Sequence, residues 1–91
     1  MDIRAAELTA DHLGRTVKID LGNQTVLMGH LVSVRHKLVR DGTRTRLDLE
    51  VFGDQRIRVG FNAIGVVELL WAASGSARGQ RQLQRFVEVL A

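Results

Sequence analysis

The chain has 91 residues, with 13 Lys and Arg against 10 Asp and Glu, and neither Cys nor Pro. That length fits one domain with one small core, and the lack of Cys excludes a disulfide framework and a thiolate site. Hydrophobic residues at 45% and charged residues at 25% describe a globular chain and exclude the disordered class.

A net charge of +3 and a pI near 10.6 make the protein basic. All but two of the cations are Arg, the exceptions being Lys18 and Lys37. The longest apolar stretch, residues 64–73, is interrupted by Glu68 and is too short to span a bilayer. The opening "MDIRAAEL" lacks the apolar centre of a signal peptide. A cytoplasmic location without a membrane partner is the expectation.

The first expected element is a short helix. Asp2 caps a turn carrying Ile3, Ala6 and Glu7; Thr9 is a second cap and Gly14 a C-terminal stop. From Thr16 the period becomes two, with Val17, Ile19 and Leu21 alternating with polar residues, which reads as a half-buried strand. After a turn at 22–24, a long strand runs over residues 25–40. Leu27, Gly29 and Leu31 fit one phase of that strand, and Val32 and Val34 the other, so a bulge or sharp bend is expected near Gly29.

"RDGT" at 40–43 places Asp-Gly at the centre of a two-residue hairpin. The return strand puts Thr45, Leu47, Leu49 and Val51 on one face, and Arg46, Asp48 and Glu50 on the other. After "GDQ" at 53–55, Ile57, Val59 and Phe61 alternate with Arg56 and Arg58; "NAIG" bends the chain into a last core strand, "VVELLW". Residues 72–80 are small and polar and read as a linker. Over residues 81–91, Leu83, Phe86, Val87 and Leu90 share a helical face, while Val87 and Val89 also permit a strand.

The predicted fold is therefore mainly β. A barrel-forming unit spans residues 1–71, with a short N-terminal helix and five bent antiparallel strands, followed by the linker 72–80 and an amphipathic helix over 81–91. Tight turns between successive strands fit SH3-like, OB-like and Sm-like barrels.

Residues 13–69 resemble an Sm/LSm domain. "GHLVSVRHKLV" follows the frame of that family's first motif at Gly29, Leu31, Val34 and Leu38. "IRVGFNAIGVVEL" is similar to the second at Ile57, Arg58 and Gly60, with Val59 as an extra residue. The family's base-reading Asp, aromatic and Asn positions hold Arg35, Lys37 and Val39 here. The resemblance thus implies the barrel and assembly into a homo-oligomer through terminal strands, and it does not extend to uracil recognition. The Arg-rich composition and the stretch "LTADHLGRTV" also resemble small proteins of actinobacteria and their phages.

Arg35, His36, Lys37, Arg40, Arg44 and Arg46 fall within 12 residues, opposed there only by Asp41. Paired strands would gather several of them into a patch that attracts RNA or DNA phosphates, joined by Arg58. The competing reading is a solvated hairpin tip, with Arg46 paired to Asp48 or Glu50 across the sheet. Phe52 falls on the polar phase of its strand, where a stacking platform competes with a simple interface role.

His12, His30 and His36 have no metal-ligand spacing, and neither a nucleophile elbow nor a P-loop is present. No metal, cofactor or enzymatic activity is expected. The expected function is a non-enzymatic nucleic-acid-binding module. The alternative is a phage-encoded, host-directed protein-interaction or assembly module acting through strand edges and the C-terminal segment. Residues 65–71 carry a single charge and would be exposed as an edge, so Val66, Val67, Leu69 and Trp71 are the candidate oligomer interface. The alternative is that the C-terminal segment covers that edge within one chain.

Overall fold

The computed structural model describes residues 1–22, 24–51, 55–72 and 81–90, with side chains for all of these except 71, 72, 81 and 82. The predicted linker over 72–80 lies outside the described residues beyond Ala72, as do Phe52 and the side chain of Trp71.

Among the described residues, eight strands form one antiparallel sheet: β1 (Asp2–Arg4), β2 (Thr16–Gly22), β3 (Thr25–Val39), β4 (Gly42–Val51), β5 (Gln55–Phe61), β6 (Val66–Ala72), β7 (Arg81–Leu83) and β8 (Phe86–Val89). Their order across the sheet is β1-β8-β2-β3-β4-β5-β6-β7. The mainly β class is as the alternation predicts; the five-strand count is not. Both expected helices are absent from the described residues. The N-terminal segment is a strand followed by two single 3₁₀ turns, Ala5–Glu7 and Ala10–His12. Thr9 does cap the second turn: its hydroxyl accepts from the Asp11 N–H, and its own N–H donates to Nδ1 of His12 at 3.0 Å. One turn of helix has too few internal bonds to propagate on its own, and residues 2–4 gain more by pairing with β8.

The C-terminal segment takes the strand alternative because its two Val side chains are needed in the core. Val87 and Val89 are buried, facing Val17 and Ile19 of β2 and Leu8 of the N-terminal turns in one apolar cluster. Phe86 and Leu83, on the face a helix would have buried, are exposed.

These last two strands set the shape of the sheet. Six strand-to-strand steps separate β8 from β7 in the order, roughly 29 Å in a flat sheet. Only Gln84 and Arg85 connect them in the chain, a span of at most about 11 Å from Leu83 to Phe86. The sheet therefore coils until its ends meet at this junction. There the Gln84 N–H donates to the Gly65 carbonyl (2.7 Å) and the Ala5 N–H to the Arg85 carbonyl (2.9 Å). β7 pairs with β6 over Val66, Val67 and Glu68, so this part of the β6 edge is covered from within the chain.

The inward face carries the predicted core: Leu31, Leu47, Leu49, Ile57 and Val59 are all buried. In β3 the phase slip is resolved by a bulge at Val32, since Leu31 lies opposite Leu49 while Ser33 lies opposite Asp48. Gly29 permits the close approach that precedes it: a Cβ there would lie 2.8 Å from the Glu50 carbonyl oxygen. The β3–β4 turn falls one residue earlier than expected. Arg40 and Asp41 form the loop, and Gly42, at a φ of 137°, pairs with Val39. No helix among the described residues is long and apolar enough to cross a membrane.

Leu49→Ala should cost about 2–5 kcal/mol, measured by urea unfolding; a loss below about 1 kcal/mol, as at surface sites, would contradict the inward placement. Truncation after Ser76 removes Val87 and Val89 from the core and leaves β2 and β6 unpaired on one side. The truncated chain should lose its cooperative thermal transition, checked by circular dichroism.

Candidate nucleic-acid interface

The hairpin of β3 and β4 sorts the predicted cations by the alternation of strand faces. Val34, opposite Leu47, and His36, opposite the buried Thr45, point inward. Arg35 and Lys37 therefore stand on the outward face, directly opposite Arg46 and Arg44 respectively. Like charges directly opposite one another destabilise a strand pair, and here two such pairs are adjacent. The ion pair of Arg58 with Asp48 involves none of the four, and Glu68 lines a hollow with Arg44 and Arg46. All four cations share one shallow hollow on this face. Arg40, in the turn, borders a second hollow with Arg44, beside Asn62 and Ile64.

His36 also lines the hollow shared by the four cations, but its ring is engaged on the other face of the strand. Its Nε2–H donates to the Leu8 carbonyl (2.7 Å), since a carbonyl can only accept, and its Nδ1 lies 2.8 Å from the Thr45 hydroxyl. The ring thus fixes the first 3₁₀ turn beneath the hairpin and satisfies the buried hydroxyl of Thr45.

Arg58 is held apart too. Its Nε–H donates to Oδ1 of Asp48 at 2.8 Å, while Oδ2 of the same carboxylate accepts from the Ser33 hydroxyl at 2.7 Å. Burial pushes the Asp48 carboxyl upward, but the hydrogen bonds from Arg58 and Ser33 and the charges of Arg58 and Arg35 outweigh it, so its pKa lies below the ordinary value. The bond to Asp48 in turn raises that of the Arg58 guanidinium. Asp48 is thus committed to Arg58, the residue beside it on β5, and not to Arg46.

The candidate interface residues of β6 divide. Val67 and Leu69 are buried in this chain's own core, and Val66 is half-buried next to β7.

The four outward cations offer forked and single N–H donors on one face, the chemistry that binds phosphate oxygens. Among the described residues no aromatic side chain joins them: Phe61 is in the core, and Phe86 lies with Arg4, whose guanidinium carbon is 6.0 Å from the ring centre. The arrangement suits contact with a sugar-phosphate backbone, which carries no sequence information of its own. The sequence singles out Arg58 as a phosphate contact and Asp48 as a possible partner of Arg46, but not Ser33 or the joining of the three. Its signal lies in the acid–base alternation of β4 and β5, but the register that selects Arg58 follows only from the turn between them.

Comparison with protein-family models, with curated proteins and with solved structures found no match for the chain.

The depressed pKa of Asp48 sets a sign. Its contribution to stability is present above the unfolded carboxylate value, about 3.9, and is lost as the pH falls through the lower folded value. The Asp48 side chain should titrate below the ordinary carboxylate range by NMR, and Arg58→Gln should move its midpoint upward; an unmoved midpoint would show that the pair does not set it.

Proposed function

We propose that the protein is a non-enzymatic nucleic-acid-binding module that grips the phosphate backbone of RNA or DNA with little base selectivity. The coiled antiparallel sheet is read as a small barrel of the Sm-like or SH3-like kind, with its β3–β4 hairpin as the binding arm. The observation that carries the reading is the pair of like-charged cross-strand neighbours, Arg35 with Arg46 and Lys37 with Arg44. Two like-charged cross-strand pairs cost the free hairpin stability, and a polyanion laid across them would remove that repulsion. Arg40 extends the array at the turn. Arg58 contributes less, because Asp48 engages its Nε–H and offsets its charge.

Replacing Arg40, Arg44 and Arg46 together by Gln should weaken binding to mixed-sequence RNA and DNA oligonucleotides alike. It should also flatten the dependence of log K on log salt by about one unit for each phosphate no longer neutralised. Arg58→Gln should alter the slope far less. Fluorescence anisotropy across a salt series checks both; equal affinity and slope in the triple variant would remove the proposal.

A further inference from the structure

β3 outruns the strand beside it. Its ladder with β2 ends at His30. The last bonded residue on that side is Leu31, whose N–H donates to the Arg15 carbonyl (2.9 Å) and whose carbonyl accepts from the Gly14 N–H (2.8 Å). Beyond it, β3 is bonded to β4 alone.

In an antiparallel ladder, successive residues send their main-chain groups to opposite edges. Val39 closes the hairpin against Gly42, so Val39, Lys37, Arg35 and Ser33 direct N–H and C=O toward β4. Leu38, His36 and Val34 direct theirs to the open side. Among the described residues nothing bonds to the main chain of these three on that side.

Native edges are usually guarded by charge, Pro or a covering element. This one has no Pro, and its guard is of one sign: Arg35 and Lys37, backed by Arg46 and Arg44 on β4. On its other face Leu38 is 84% exposed. A second copy pairing antiparallel along this edge would bring Arg35 and Lys37 against their own counterparts, cation beside cation, which a strand pair resists. The same charges favour a strand of opposite sign.

We propose that the edge of β3 at residues 34–38 accepts an extended acidic segment of a partner protein as an added strand. Main-chain bonds to Val34, His36 and Leu38 supply the pairing. Carboxylates at alternate positions of the segment lie beside Arg35 and Lys37, and apolar side chains between them cover Leu38. The site shares Arg35 and Lys37 with the phosphate reading but is told apart from it by its main-chain bonds at Val34, His36 and Leu38, which a polyanion on the outward face does not need.

The probe is a fluorescein-labelled heptapeptide alternating Glu and Val, titrated with the full-length chain and followed by anisotropy. Two further versions carry N-methyl groups on one or the other alternating set of amides, and a fourth replaces Glu by Lys. The Glu peptide should bind, the Lys peptide should not, and one of the two methylated versions should bind about tenfold more weakly or worse, the effect of removing main-chain bonds. Leu38→Pro removes an N–H that faces the open side and no ladder bond. It should weaken peptide binding similarly while leaving oligonucleotide binding unchanged. If that variant fails to fold, the methylated peptides on the unaltered chain decide alone. No saturable binding of the Glu peptide, or equal binding of all the Glu peptides, would overturn the proposal. So would a concentration-dependent dimer that Leu38→Pro abolishes, which would assign the edge to a second copy.

Discussion

The shortness of the link between β7 and β8 is the constraint on which the rest of the structure depends. Two residues, Gln84 and Arg85, must join strands that lie six steps apart in the sheet order. A flat sheet cannot satisfy that length, so the sheet coils, and coiling gives it an inside. The inward rows of β2, β4, β5, β6 and β8 then face one another as a single apolar cluster. In a chain this small, nearly all the favourable burial must come from that one cluster. The outward face is what remains for recognition.

Two local irregularities convert this coiled sheet into a charged arm. The bulge at Val32 lets Leu31 and Val34 both reach the core although they are three residues apart. It also marks where β3 leaves β2 and continues with β4 alone. The turn at Arg40 and Asp41 then fixes which cations meet. Had Asp41 and Gly42 been the loop, each β3 residue would face a β4 residue two positions further on. Arg35 would then oppose Asp48, leaving Lys37 against Arg46 as the single like-charged pair. With the loop one residue earlier, Arg35 opposes Arg46, and Asp48 is left to Ser33 and Arg58. The faces are the same in both registers; the charge pattern is not.

This explains what can be read from the residues alone. The two-residue alternation of "TVKIDL", "TRLDLEVF" and "RIRVGF" reveals the strands and the core, because inward and outward positions depend only on period. Partners depend on turn geometry, and a single residue of error at a hairpin exchanges every cross-strand neighbour while leaving every face intact. The terminal segments escape such a reading for another reason. Leu83, Phe86, Val87 and Leu90 satisfy a helical period, yet a strand places Val87 and Val89 where β2 needs cover. That need arises from residues about 70 positions earlier and has no local signature.

The pairing of β8 with β1 and β2 also has a kinetic meaning. Val87 lies beside Ile3, and Val89 beside Val17, so the pairings that complete the core join the two ends of the chain. Contacts so distant in sequence are slow to form, because a long loop must close before they return any energy. During synthesis, β2 through β6 can pair as successive hairpins, but the inward side chains of β2 stay uncovered until β8 has left the ribosome. A sheet not yet closed by β8 would hold its apolar interior open to water, and the interval before closure is when such a chain is most exposed to aggregation.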